Sequence, residues 1–168
     1  MALGGKVEPA LEALARYRGL GRRFERLGEV RGIAVVDDYA HHPSELDATL
    51  AAARQAFPGR RLLAVFQPHL YSRTAQHGVA MGRALAAADL VIVTSIYPAR
   101  EQPIPGVTAA AVADAARDAG AQVIYEPDRE RIGERIHEVV REGDVVITLG
   151  AGDITRVGRE LALWLNAA

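Results

Sequence analysis

Five short apolar runs, each followed by a helical pattern, constrain this chain more than any other feature of it. Residues 32–40 (GIAVVDDYA), 61–68 (RLLAVFQP), 90–98 (LVIVTSIYP), 122–127 (QVIYEP) and 144–150 (DVVITLG) are rich in Val, Ile and Leu. They do not alternate apolar with polar. A strand that is apolar on both sides needs cover on both faces, the condition of a parallel sheet between two helical layers. Helical patterns fill the gaps. One runs from Ser44, a plausible N-cap, to about Phe57, where Pro58-Gly59 stops it. Others cover 74–88, an alanine-rich 108–119, a charged 128–142 and 154–167. Residues 24–30 (FERLGEV) offer an added edge strand, and 7–17 (VEPALEALARY) a short amphipathic helix. The expected fold is α/β: a three-layer, Rossmann-like, doubly wound, mostly parallel sheet with helices on both faces and right-handed crossovers. A length of 168 residues suits one such domain.

Composition narrows the function. The chain is 49% hydrophobic but only 5% aromatic, so its core is aliphatic and large enough to offset the entropy of ordering. Lys plus Arg number 20 and Asp plus Glu 21, a net charge of −1. A nucleic-acid or anionic-membrane surface needs a basic excess, so neither partner is expected. The absence of cysteine removes disulfides, thiolate metal sites and a cysteine nucleophile. No apolar run approaches the ~20 residues of a membrane span, and no signal-peptide pattern precedes the first charges. The expected location is the cytoplasm.

In a sheet of this kind the βα loops open at the carboxyl edge, where ligands bind. Four of them carry concentrated chemistry. Asp37-Asp38-Tyr39-Ala40-His41-His42-Pro43 puts two carboxylates and two imidazoles at one strand end, costly to bury unless paired or used. They suit a nucleotide contact, a general base or a metal site; helix capping is the plainer use. The metal reading is the weakest, because adjacent histidines point apart on a strand and helical ligand pairs stand three or four apart. His77 and His137 lie inside helical patterns, as surface or partly packed groups. In Gln67–Arg73 (QPHLYSR), Arg73 offers a planar fork for a carboxylate or phosphate, with His69 and Ser72 as further donors. A cation on the first turn of a helix opposes the dipole, which favours an anionic partner there. Tyr97–Pro103 (YPAREQP) reads either as a site loop or as a proline-stiffened connection. Gly150-Ala151-Gly152-Asp153 begins like a dinucleotide fingerprint, but Thr155 stands where a third glycine belongs, and the unit is the last of the sheet. It reads as a tight turn with close backbone approach to a ligand. Arg22-Arg23, beside two glycines in GLGRRF, reads as a hinge that swings a cation towards a phosphate, or as a solvated pair. The sequence contains neither a G-x-x-x-x-G-K-[ST] phosphate loop nor a G-x-S-x-G elbow.

GLGRRF, VVDDYAHHPSE, FQPHLYSRT, YPAREQPIPGV and TLGAGDI follow one another in the order found in the bacterial Mur ligases. Together they resemble that family's C-terminal domain across essentially the whole chain. The resemblance is strongest to the branch that joins L-alanine to UDP-N-acetylmuramate. It implies that residues 21–168 form this domain and that 1–20 are a remnant of the central domain's last helix and linker. On that view the chain is a piece excised from a longer enzyme and given a start methionine. Its partners would be the amino-terminal domain, which binds the UDP sugar, and the central ATPase domain. The resemblance further implies an ATP-dependent acid–amino-acid ligase of peptidoglycan precursor synthesis, acting through an acyl phosphate. ATP and Mg²⁺ would be held mostly by the central domain, over which this one closes. The chain alone is then expected to be inactive, with no catalytic residue and no metal ligand assigned in it. Carried over by motif, Arg23, Asp38, Tyr39 and His41 match nucleotide-side positions. His69, Ser72 and Arg73 match the alanine end, Arg73 as a bidentate clamp for the amino acid's carboxylate. Tyr97 and Arg100 match, by loop position, a loop that reads the amino acid in a related ligase. Ala40 stands where many relatives have glycine, and Leu70 where a basic residue is common. Two other readings stay open: the C-terminal domain of the ligase that recycles murein tripeptide, and a free-standing α/β binding module or metal hydrolase.

Overall fold

The computed structural model describes residues 7–15 and 20–167. A helix, α1 (Val7–Ala15), precedes the sheet; the rest of the helix expected over 7–17 lies outside the described residues. The sheet has six strands: β1 (Glu25–Val30), β2 (Ile33–Asp38), β3 (Leu62–Phe66), β4 (Leu90–Val93), β5 (Gln122–Tyr125) and β6 (Val145–Leu149). Their spatial order is β1-β2-β6-β3-β4-β5. All neighbours are parallel except β1, which pairs antiparallel with β2 as the expected edge strand. The helices are α2 (Pro43–Ala56), α3 (Tyr71–Leu85), α4 (Ala110–Asp118), α5 (Ile132–Val139) and α6 (Thr155–Ala167).

The layers follow from the order of connection. From β2 through β3 and β4 to β5 the chain advances in one direction, so right-handed crossovers put α2, α3 and α4 on one face. From β5 to β6 it doubles back, which sends α5, and after it α6, to the other face. Two apolar clusters sandwich the sheet accordingly. Val36, Ala64, Phe66 and Ile147 pack with Leu46, Leu50, Met81 and Val112 on the first side. Val35, Leu63, Val65 and Val146 pack with Ile132, Ile136, Val157 and Leu161 on the second. The residues of β2, β3, β4 and β6 are buried throughout, as a sheet covered on both faces requires. No helix among the described residues is long and apolar enough to cross a membrane.

Four boundaries differ from the sequence reading. His42, not Ser44, caps α2: Pro43 takes the first helical position, where its ring presets φ, and Glu45 reaches back to accept from the N–H groups of His41 (2.9 Å) and His42 (3.2 Å). Helix α3 starts at Tyr71, because a kink at Leu70 (φ 71°) ends the strand exit abruptly. The run after Ile92 leaves the sheet at Val93, and the charged stretch 128–142 divides into a 3₁₀ turn (Arg129–Arg131) and the short α5.

Helices α3 and α4 touch through Gly82. A Cβ there would meet the carbonyl of Val112 and come within 2.6 Å of Ala115 Cβ. Gly133, in α5, has open space around it. Gly82→Ala is therefore expected to destabilise the chain by about 1–3 kcal/mol through overpacking, whereas Gly133→Ala should be neutral or stabilising by up to about 1 kcal/mol. Equilibrium unfolding in urea checks both; equal midpoints for the two variants would contradict this account of the α3–α4 contact.

Candidate functional site

Strands β2 and β3 flank β6, and the loops leaving them diverge: α2 and α3 go to one face, α6 to the other. This divergence opens a crevice at the carboxyl ends of the three strands, where doubly wound folds bind ligands. The loops DDYAHHP, QPHLYSR and GAGD line it.

Asp37 stands at its floor, fully buried. Its carboxylate accepts from Thr148 Oγ1 (2.6 Å), Thr155 Oγ1 (2.9 Å) and Arg22 Nε (3.2 Å). Arg22 also donates to the carbonyl of Gly150 and lies over the Tyr39 ring, 4.8 Å from its centroid. Asp38 is spent on backbone, one oxygen accepting from Phe24 N–H (2.7 Å) and the other from Ala40 N–H (2.8 Å). The two aspartates thus fasten the GLGRRF connector to the sheet edge. The basic pair divides: Arg22 is held, while Arg23 is exposed with its guanidinium 5.6 Å from the Tyr39 centroid. Arg22 is an anchor, not a swinging cation, because its hydrogen bonds tie it to β2 and to the loop after β6.

Next to this anchor lies an imidazole pair. His41 Nδ1 faces the Tyr39 carbonyl (2.8 Å) and Glu45 (3.3 Å), both acceptors, so this nitrogen carries the proton. His69 has the opposite tautomer. Its Nδ1 lies 3.2 Å from Arg73 Nη1, and a guanidinium has only donors, so Nδ1 accepts and Nε2 bears the hydrogen. The two rings meet edge-on, 5.8 Å between centroids. Partial burial lowers the His69 pKa below its ordinary 6.5, and the positive charge of Arg73 and the nearby His41 push the same way against Glu101. The shift favours the neutral ring. Folding favours that unprotonated form, so the stability it brings is present above pH 6.5 and is lost as pH falls through the folded value.

Tyr97 stacks on His69, with centroids 5.7 Å apart and planes 13° from parallel. The two segments are zipped by backbone: Tyr97 N–H donates to Pro68 O (2.8 Å) and Leu70 N–H to Tyr97 O (2.9 Å). Ser72 is turned to a different task. Its N–H and hydroxyl both donate to Glu101, whose carboxylate caps α3 and is held below its ordinary pKa by those bonds. Glu101 offsets the unfavourable placement of Arg73 on the same first turn. Arg100 is exposed on the loop after β4.

The structure therefore brings Tyr39, His41, His69, Arg73 and Tyr97 together, keeps Ser72 and Arg100 nearer the rim, and sets Asp38 beneath as a brace. His42 and His77 pair on the α2–α3 side (4.9 Å), and His137 stacks on Trp164 (3.9 Å) on the opposite face of the sheet. Among the described residues no three His, Asp or Glu side chains converge as a metal site. Sequence reasoning missed Gln67 and Glu101, and read Gly152 as a close backbone approach to a ligand. Gln67 ties β3 to the last loop, donating to Asp153 (2.9 Å) and accepting from Ile154 N–H (3.1 Å). Gly152 makes room for Tyr97 and Gln67: a Cβ there would stand 2.6 Å from Tyr97 Cγ. The glycine thus admits the protein's own side chains. Only the first two glycine positions of GAGD hinted at such close packing.

The family model described as Mur ligase, glutamate ligase domain, matches residues 22–152. The chain belongs to the Mur ligase family. Among curated relatives, the UDP-N-acetylmuramate–L-alanine ligase of Cutibacterium acnes is 52% identical over 157 residues, which is 93% of this chain and 33% of that protein. Among solved structures, the UDP-N-acetylmuramate–alanine ligase MurC of Thermotoga maritima superposes with a TM-score of 0.82 at 29% identity, over 99% of this chain and 35% of that one. The murein peptide ligase of Psychrobacter arcticus gives 0.71 at 25% identity, over 99% and 34%. This Mur ligase chain spans about a third of the length of the proteins it matches.

The His69 titration tests the electrostatics of the site. Following its ring protons by NMR, we expect a midpoint below 6.5. Arg73→Ala should raise it by removing a repelling cation, and Glu101→Gln should lower it further. A rise in the Glu101 variant would contradict the arrangement.

Proposed function

We propose that this chain is the amino-acid-side domain of a cytoplasmic UDP-N-acetylmuramate–L-alanine ligase. One observation carries the reading: the bidentate fork of Arg73, backed by a neutral His69, stands in the crevice at the carboxyl edge of the sheet. The similarity to L-alanine ligases over nearly the whole chain supports it, and the higher TM-score to the L-alanine ligase than to the murein peptide ligase favours that branch.

In the complete enzyme the muramoyl carboxylate attacks the γ-phosphorus of ATP, and ADP leaves. The amine of L-alanine then attacks the acyl carbon, and the tetrahedral intermediate expels phosphate as the amine loses its proton. Arg73 grips the alanine carboxylate through two parallel N–H···O bonds, which also aims the amine. His69, Tyr97, Ser72 and Arg100 shape the surroundings of that carboxylate. On the nucleotide side, Arg23 and Tyr39 offer an exposed cation and a ring face, His41, whose Nδ1–H is engaged by the Tyr39 carbonyl and Glu45, offers Nε2 as an acceptor, and Asp38 holds the connector that carries Arg23. Closure of this domain over its neighbour excludes the water that would hydrolyse the acyl phosphate. In this reading Mg²⁺ and the phosphoryl charge are held mostly by the central domain of the complete enzyme.

Arg73→Ala in the complete enzyme is expected to raise the KM for L-alanine by roughly 10²-fold, a loss of about 2–3 kcal/mol typical of hydrogen bonds to a charged group, while the KM for ATP changes little. Equal effects on both constants would refute the clamp. The 168-residue chain alone is expected to release no phosphate from ATP in the presence of L-alanine, measured by a coupled phosphate assay.

A further inference from the structure

A guanidinium on the first turn of a helix has many rotamers, and a clamp needs one. The only side-chain acceptor that Arg73 meets among the described contacts is His69 Nδ1. That nitrogen lies within reach of Arg73 only while the imidazole keeps its tilt. His69 follows the last strand residues of β3 and precedes the kink at Leu70, so its own backbone does not lock the ring. What flanks the ring is Tyr97, nearly parallel to it. Tyr97 in turn rests on Gly152, at a separation that leaves no space for a Cβ. Gly152 is itself fixed, because Gln67 bonds to Asp153 and to Ile154 N–H, and Arg129 pairs with Asp153 at 3.2 Å.

We infer that Tyr97, seated on Gly152, is a positioning residue for the alanine site: its ring holds His69 in the tilt that orients the Arg73 guanidinium. The inference rests on the reading of Arg73 as carboxylate clamp. It gives Tyr97 a role exerted through His69, and it makes the last βα loop part of the amino-acid site although none of its side chains reaches Arg73. The stacked ring face does this work, so the phenol hydroxyl is dispensable. Removing the ring also opens one side of His69 to water. The groups that then still face it are Arg73 on α3, His41 on the loop after β2 and Glu101 on the loop after β4. Less burial raises the His69 pKa, and protonation abolishes the acceptor that Arg73 uses.

The experiment uses the complete ligase. KM for L-alanine, KM for ATP and kcat are measured across the acid limb for Arg73→Ala, Tyr97→Ala, Tyr97→Phe and Gly152→Ala. Tyr97→Ala and Gly152→Ala should each raise the KM for L-alanine by roughly tenfold, the scale of a misplaced binding group, with kcat at saturation and KM for ATP little changed. Tyr97→Phe should restore the parent value. In Tyr97→Ala the acid rise in the KM for L-alanine should begin at higher pH than in the parent enzyme. If Arg73→Ala leaves the KM for L-alanine unchanged, the clamp reading fails and this inference with it. If Arg73→Ala raises it but the Tyr97 and Gly152 variants do not, or if Tyr97→Phe behaves like Tyr97→Ala, the clamp stands and the positioning role is overturned. Should the alanine variants fold poorly, the His69 NMR titration of Tyr97→Leu decides the matter: an unshifted midpoint overturns the inference.

Discussion

The carboxylate of Asp37 is the fastening on which the site depends. It is fully buried, and a buried ion costs several kcal/mol unless its lone pairs are met. Here they are met by groups from different parts of the chain: Thr148 on β6, Thr155 at the start of α6, and Arg22 on the connector before β1. One side chain therefore sets the relative positions of a strand, a helix start and the segment that leads into the domain. Arg22 extends the reach by bonding to Gly150 and covering Tyr39. The crevice keeps its shape because its floor cannot move without stranding a charge.

From that floor the site is assembled by loops that bond to one another. Glu45 fixes His41 through backbone and ring, Glu101 caps the helix that carries Arg73, and Gln67 ties β3 to the last loop. Tyr97 sits between Gly152 and His69. The result is a set of donors and acceptors whose directions are decided before any ligand arrives. Such preorganisation lowers the cost of ordering side chains on binding. The kink at Leu70, with φ at 71°, belongs to the same economy: it is what brings Arg73 onto the first turn and back towards His69.

Much of this was legible in the residues. The apolar runs announced a sheet covered on both faces, and the β-branched stretch ending in Asp37-Asp38 is a strand buried along its whole length. The edge strand was also visible in FERLGEV; its antiparallel pairing with β2 came from the structure. The motif DDYAHHP was seen as too polar to be idle, yet its two aspartates look alike in sequence. Their neighbours separate them: Asp37 meets two threonines and an arginine from afar, and Asp38 meets backbone close by. Ser44 looked like a helix cap because serine often is; Pro43 and Glu45 moved the cap to His42. Glu101 and Gln67 carried no local sign, since their partners stand 29 and 86 residues away.

The sequence by itself determined the strand and helix periods, the layer architecture and the strand ends at which chemistry gathers, because those follow from local propensity and from burial patterns with a period of two or 3.6 residues. Only the tertiary structure decided which of those groups are braces and which are free. That distinction depends on partners brought from distant loops. Arg22 and Arg23 adjoin in the chain, yet one is pinned on Asp37 and the other faces solvent. His41 and His69 have the same side chain, yet opposite tautomers, because a carbonyl faces one ring and a guanidinium the other.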